Sequence, residues 1–343
     1  MARIALDAVG GDYAPAAPVA GALLALAELD PSHSIQLVGP SAVVQEELTR
    51  LLLDPEFDHL AAQRGRIGIV DAPDVIGMSE KPTAALRAKP RNSMAIGLRL
   101  QVEGASDAFV SAGNTGAQMA ASALLLKLHP GITRPAIATL FPTAGEPIVV
   151  LDSGANVDCS PRELLQFARL GEVYAECILG RRSPRIGLLS IGEEPEKGNA
   201  VVKDANALFA EAEFTFAGNV EGRDLPAGRT EAGAIDVVVC DGFVGNVVLK
   251  FYEAVVPMLF GMLERAGVAS PEKLARGFGT LDYSEHGGAP LLGVRGVSII
   301  SHGKSSPRAI KNAIHVAVRA VETGMNDLVG ERLRAATGGV TGA

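Results

Sequence analysis

Short apolar runs alternating with helix-period segments constrain this chain more than any other feature of it. "RIALD", "SIQLVG", "RIGIVDA", "DAFVSA", "PIVVLD", "RIGLLSI", "IDVVVCD" and "VSIISH" are rich in Val, Ile and Leu. Segments of ten residues or more with helical apolar spacing separate many of them. That alternation predicts a parallel or mixed sheet covered by helices on both faces. The spacing predicts helices over Pro15–Glu28, Thr115–Leu128, Pro161–Ile178, Gly245–Ala266 and Pro307–Thr323. Proline near the start of several of them suits a first helical turn.

The strand-like runs end in bare loops: "VGGDYAP", "SAGNTGA", "DSGANVD", "SIGEEPEKGN", "CDGFVGN" and "SHGKSS". Such loops gather along the carboxyl edge of a parallel sheet, where open α/β folds bind ligands. Their backbone N–H groups, with the positive ends of following helices, make anion sites, and glycine lets a ligand approach without a Cβ clash. Any one of these loops alone is an ordinary tight turn. Their repetition beside Asp, Asn and Ser predicts a site.

The chain has 343 residues, 48% of them apolar, so it can bury a large core. Single cores stop growing at roughly 250–300 residues, which admits one large unit or two modest ones. With no repeat and no low-complexity linker, the sequence predicts one three-layer α/β/α catalytic domain over residues 1–332, in one body or as two lobes around a cleft. Residues 333–343 read as a flexible tail. A net charge of −8 argues against a nucleic-acid surface, so an anionic ligand must find a local basic site. Cys159, Cys177 and Cys240 have no C-x-x-C spacing, which suggests neither disulfide nor zinc and fits a reducing cytoplasm. Arg3 leads straight into a strand with no signal-peptide pattern, and no window of ~18 uninterrupted apolar residues predicts a membrane span.

Familiar phosphate motifs fail on inspection. Gly303-Lys304-Ser305 resembles the end of a Walker loop, but Ser298 stands where its first glycine belongs. G-x-G-x-x-G after the first strand, G-x-S-x-G and H-E-x-x-H are also missing. Basic residues cluster at Lys81, Arg87, Lys89 and Arg91. Lys81 and Arg87 read as anion-binding, and Arg91 equally as a solvated charge. His302 ends a strand immediately before Gly303, where it can serve as general acid or base or merely bond to nearby backbone. His286 is similar, and the other histidines look incidental.

"LDAVGGDYAP", "SEKPTAALRAK", "DAFVSAGNTGA", "LDSGANVDCSPRELLQFARLGEVYA", "GLLSIGEEPEKGN", "GNVEGRDL", "DVVVCDGFVGNVVLK" and "SIISHGKSSPRAIKNAI" together resemble the acyl-acyl-carrier-protein:phosphate acyltransferase family, PlsX, in the same order over nearly the entire chain. The resemblance implies transfer of a long-chain acyl group from acyl carrier protein to inorganic phosphate, giving acyl phosphate for bacterial phospholipid synthesis. It also implies an isocitrate/isopropylmalate dehydrogenase-like fold, a homodimer, and peripheral attachment to the inner face of the cytoplasmic membrane. Val9, Tyr13, Ser190 and Asn92 depart from the family pattern, which puts fine substrate preference in doubt more than activity.

The chemistry is reasonable without the label. Phosphate is already an anionic nucleophile, and a phosphopantetheine thiol with pKa ~8.5 leaves readily as thiolate. The enzyme has to supply placement and donors to the developing oxyanion, with no metal and no cofactor. Gly10, Gly11, Ser111, Gly113, Asn114, Thr115 and Gly116 would form the anion cradle, with Lys81, Arg87 or Lys89 neutralising charge. Asp7 and Asp12 would order the first loop. Asp152, Asn156, Asp241 and Asn246 would orient phosphate or pantetheine, or else cap helices and brace turns. His302 would polarise the carbonyl or protonate the leaving sulfur.

The segment "NVVLKFYEAVVPMLFGMLERAG" reads foremost as a core or dimer-interface helix, and otherwise, with "VASPEKLARGF", as a surface laid on the bilayer. An acidic carrier protein would dock on a basic patch, either Arg181, Arg182 and Arg185 or the segment from Lys81 to Arg91. A phosphotransacetylase using acetyl-coenzyme A and a noncatalytic carrier-binding scaffold are the competing functions at this point.

Overall fold

The computed structural model describes residues 1–267 and 287–338. The chain divides into two units, Met1–His129 with Gly287–Gly330 and Pro130–His286 with Glu331–Ala343. His286 and the segment "VASPEKLARGF" lie outside the described residues.

The first unit opens with β1 (Arg3–Asp7), α1 (Ala16–Glu28), β2 (Ser34–Gly39), α2 (Ser41–Leu52), a 3-10 stretch over Asp58–Arg66 and β3 (Ile67–Asp71). It continues with α3 (Pro82–Ala88), α4 (Ser93–Val102), β4 (Ala108–Ser111) and α5 (Thr115–Leu125). The second unit follows with β5 (Ala136–Ile137), β6 (Thr139–Phe141), β7 (Ile148–Leu151), α6 (Pro161–Leu179), β8 (Arg185–Leu189) and α7 (Ala200–Ala210). Next come β9 (Thr215–Val220), the short pair β10 (Arg229–Thr230) and β11 (Gly233–Ala234), β12 (Val237–Val239) and α8 (Gly242–Arg265). The chain returns to the first unit with β13 (Ala289–Leu292), β14 (Ser298–Ile300) and α9 (Pro307–Glu322), and ends in α10 (Met325–Gly338). Residues 333–338, expected in a flexible tail, thus continue a helix.

In the first unit the strands run in the order β3-β2-β1-β4-β14-β13, parallel except for β13 against β14. In the second the order is β6-β7-β12-β8-β9, parallel except for β6. Central strands β4, β7 and β12 are buried along their whole length, as expected of parallel strands covered on both faces. Both units are therefore of the mixed α/β kind that the alternation predicts.

The helix starts have local causes. Ser160 and Glu163 form a reciprocal capping box ahead of Pro161, worth about 1 kcal/mol. Ser306 accepts from the Ala309 amide ahead of Pro307. Gly21 lets α1 and α9 pack closely, since a Cβ there would stand 2.6 Å from that of Ile310.

One expectation is corrected. Within the second unit α8 buries only Gly242, Gly245 and Leu249, while Phe243, Val247, Phe251, Met258 and Met262 are exposed, Phe251 by 69%. Among the described residues α8 joins the core only near its start, through Leu249 with Val248 and Tyr252 beside it, and most of its length is not core. By length and composition α8 is also apolar enough to cross a bilayer; Lys250 and Glu253, ion-paired at 2.8 Å, interrupt the apolar run that the sequence criterion sought.

Candidate functional site

The parallel neighbours β1, β4 and β14 end together, with Leu6 beside Val110 and Ile300 beside Ser111. Their loops consequently meet at one carboxyl edge. The Asp12 amide donates to the Gly303 carbonyl over 2.7 Å and the Ser301 amide to the Ser111 carbonyl over 2.8 Å. Asp7, 1% exposed, sits beneath. Ser111 Oγ donates to Asp7 Oδ2 at 2.7 Å and accepts from the Gly113 amide at 3.0 Å, while the Val9 amide donates to Asp7 Oδ1. Burial pushes the Asp7 carboxyl above the usual carboxylate range, and hydrogen bonds from Ser93, Ser111, Val9 and Gly10 oppose that rise.

Two glycines here answer to the loops themselves. A Cβ on Gly10 would lie 2.4 Å from Asp7 Oδ2 and 2.8 Å from the Gly113 nitrogen. Gly11 adopts φ +103°, a region L side chains rarely enter. The bare backbone lets strand ends close on one another, whatever ligand they also admit.

Asn114 opens α5. Its Oδ1 caps the Ala117 amide at 3.0 Å, and its Nδ2 donates to the Met78 and Glu80 carbonyls, both at 3.0 Å. The side chain thereby ties the 77–80 loop, none of whose residues the sequence reading put in the site, to the start of α5. Thr115 is exposed and Gly116 packs on Pro82 of α3. Among the basic residues, Lys89 Nζ is held by Glu80 at 2.5 Å and by the Val75 carbonyl at 2.7 Å, and Lys89 in turn holds Glu80 below the usual carboxylate range. Arg91 pairs with Asp71. Among the described residues, the exposed side chains of Lys81 and Arg87 have no hydrogen-bond or ion-pair partner. His302 is exposed, and its Nδ1 accepts from the Lys304 amide at 3.1 Å, which leaves Nε2 carrying a proton to donate. Asp12 is exposed at the same edge.

The second unit has its own carboxyl edge. Asp152 is fully buried there. Its Oδ1 accepts from the Ile137 and Ala155 amides, both at 3.0 Å, and its Oδ2 from the amide and side chain of Asn156, at 2.6 and 2.8 Å. Asn156 Nδ2 also donates to the Pro135 carbonyl, and Asp241 caps α8 through the Val244 amide. The bracing and capping alternative that the sequence left open describes what these three side chains do. Asn246 is exposed, beside Gly154. Cys159 has its thiol pushed up to about 12, first by burial and then by the charge of Asp152, so it stays protonated at neutral pH.

Sequence reasoning quoted "SIGEEPEKGN" but assigned nothing in it. The structure puts Ser190, Ile191, Gly198 and Asn199 of that loop in the wall of a cavity of about 480 Å³. Lys197 stands exposed beside it, with no side-chain partner among the described residues.

The architecture defines a class. The fold is similar to that of a EutD phosphotransacetylase from Staphylococcus aureus (TM-score 0.58, 15% identity, 94% of each chain covered) and of a phosphotransacetylase from Streptococcus pyogenes (TM-score 0.58, 19% identity, 94% of each). These likenesses agree with the α/β class expected from the sequence. A family described as "Fatty acid synthesis protein" matches residues 2–328. A phosphate acyltransferase of Desulforamulus reducens is 45% identical over 342 residues, covering 97% of this chain and 98% of its own. One of Heliobacterium modesticaldum is 49% identical over 331 residues, covering 93% and 94%. The chain belongs to the phosphate acyltransferase family and is an acyltransferase.

Proposed function

We propose that this acyltransferase moves a long-chain acyl group from acyl carrier protein to inorganic phosphate, releasing acyl phosphate and the free carrier thiol, as a step of bacterial phospholipid synthesis. The observation that carries the proposal is the first unit's carboxyl edge. Three strand-end loops meet there, Asn114 ties the loop just before Lys81 to the start of α5, His302 has Nε2 free to donate, and the exposed side chains of Lys81 and Arg87 have no partner among the described residues. Such an edge suits a small multivalent anion.

In this reading Gly10, Gly11, Gly113, Thr115 and Gly116 present the cradle, held in shape by Asp7, Ser111 and Asn114 from behind. Lys81 and Arg87 hold the phosphate charge. A phosphate oxygen attacks the thioester carbonyl, the C–O bond forms, and the C–S bond breaks with its electron pair on sulfur. His302 Nε2–H donates to the developing oxyanion or to the departing sulfur. The elevated Cys159 thiol fits direct attack by phosphate better than a cysteine-bound intermediate.

The carrier docks by the α3 segment. Arg91 is exposed at the end of that segment, whereas in the other patch Arg181 is engaged by Glu146 and Asp236 and Arg185 by the Ala232 carbonyl, leaving only Arg182 without a side-chain partner among the described residues. The exposed apolar face of α8 supports a homodimer contact or peripheral attachment to the cytoplasmic membrane, and vesicle flotation against sedimentation equilibrium separates the two.

The test is phosphate-dependent thiol release from purified palmitoyl-acyl carrier protein, with acyl phosphate trapped by hydroxylamine. Coupled release and trapping supports the reaction. Turnover of acetyl-coenzyme A but not of the acyl carrier, or carrier binding without turnover, overturns it.

A further inference from the structure

Within the second unit, the loop after β8 and the starts of α7 and α8 enclose the 480 Å³ cavity, inside the span of roughly 300–1,000 Å³ usual for small-molecule sites. Its wall is aliphatic: Leu164 from α6, Leu188 and Leu189 from β8, then Ile191, Val202 and Val244. Ile191, 79% exposed, stands at its lip. Of the polar side chains in the wall, Asn199 and Asp241 serve helix starts, and Ser190 Oγ is buried with no hydrogen-bond partner among the described residues. Asn199 Oδ1 accepts from the Val202 amide at 2.9 Å, and Asp241 Oδ1 from the Val244 amide at 2.8 Å. Apart from the second carboxylate oxygen of Asp241 and the amide nitrogen of Asn199, the wall offered to an occupant is hydrocarbon. A second groove, in the first unit, is a poorer host for an alkyl chain, because Arg50, Asp54 and Glu56 line it.

We propose that this cavity holds the alkyl chain of the acyl thioester, and that Val202 on α7 limits the chain length it accepts. The inference rests on the acyl-transfer reading above. Val202 is placed for that role by Gly198, which has φ +103° and no side chain; a Cβ there would stand 2.7 Å from Val202 Cγ1 and 3.1 Å from Ser190 Oγ. Val202 thus lies against bare backbone, and its own bulk sets the width at that point. Each methylene drawn out of water adds roughly fourfold to binding, so a cavity that admits the full chain separates long from short acyl groups steeply.

The experiment uses the full chain and two readouts. Fluorescence of cis-parinaric acid, displaced by palmitate or octanoate, measures occupancy, and phosphate-dependent thiol release from palmitoyl- and octanoyl-acyl carrier protein measures turnover. Val202→Phe should weaken palmitate at least tenfold more than octanoate and lower the palmitoyl-to-octanoyl ratio of kcat/KM by a similar factor. Val202→Ala should move both ratios the other way, and it guards against a misfolded Phe variant. Equal effects on both chain lengths, or no displaceable probe on the wild-type chain, overturns the assignment. Length-dependent binding without wild-type thiol release sinks the acyl-transfer reading and leaves the cavity's ligand class standing; thiol release indifferent to Val202 does the reverse.

Discussion

Ser111 Oγ donates to the buried Asp7 carboxylate over 2.7 Å and in the same position accepts from the Gly113 amide. One hydroxyl thus couples the end of β1 to the turn that opens α5. Ser111→Ala strips a bond from each partner, which should cost roughly 1–3 kcal/mol. The cost should depend on pH. Asp7 already has its pKa raised by burial, and losing a bond that lowers it raises it further. The variant's folded state then takes up a proton before the wild type's does, so its deficit is largest at neutral pH and shrinks as pH falls through the folded pKa. Urea midpoints at neutral and mildly acid pH check this; a deficit that grows in acid contradicts it.

A Cβ on Gly245 would stand 1.9 Å from the Asp152 carbonyl oxygen. Gly245→Ala must therefore push α8 away from the 152–156 turn, at a cost of roughly 1–3 kcal/mol or more. A clear fall in Tm is the expected result, and an unchanged Tm would show that the two elements are not in close contact.

Lys81 and Arg87 are exposed and their side chains lack partners among the described residues, so their charges do little for the fold. Lys81→Ala and Arg87→Ala should leave the unfolding free energy within about 0.5 kcal/mol of wild type. Each should lower kcat/KM for phosphate roughly tenfold or more, the worth of a charge-assisted bond. Steady-state kinetics with phosphate varied at saturating acyl carrier decides it; unchanged kinetics removes both from the site.

His302 has Nδ1 occupied by the Lys304 amide, so only Nε2 is available to donate. His302→Ala should lower kcat roughly 10²-fold or more. If its proton goes to sulfur, the loss should shrink with an aryl thioester, whose thiolate leaves unaided. A loss independent of the leaving group assigns the histidine to the carbonyl oxygen instead.

Cys159 is held in its neutral form by burial and by Asp152, with the thiol near 12. Alkylation by iodoacetamide in mildly basic buffer should run well below the rate of a free cysteine, whose pKa is about 8.5. Cys159→Ser should keep phosphate-dependent turnover, and loss of it would reinstate a cysteine intermediate.

Local patterns carried far in this chain. Apolar runs of the right length placed β1 and β2 to the residue, because a buried parallel strand is one continuous hydrophobic run with no competing period. Proline and serine at the helix starts placed α6 and α9 to within a residue or so, because capping is a property of neighbouring residues. Less was legible where neighbours are distant. β9, with glycine and asparagine in "TFAGNV", has no apolar signature of its own and is a strand because β8 pairs with it. The apolar face of α8 reads by composition as core or dimer interface, and its exposure in the single chain sets aside the first, since burial depends on what the fold brings opposite it.

The same boundary runs through the candidate site. The strands' places along the chain and the residues at their ends are legible in the sequence, but that β1, β4 and β14 lie side by side, which gathers Asp7, Gly113 and His302 into the loops of one edge, is set by the folded sheet. Which polar atoms remain free there is a tertiary matter. Lys89 and Lys81 are alike as residues of one basic segment, yet Glu80 and the Val75 carbonyl occupy the first and leave the second open. A side chain's chemistry belongs to its residue type, but its availability depends on which donors and acceptors the folded chain places within about 3 Å of it.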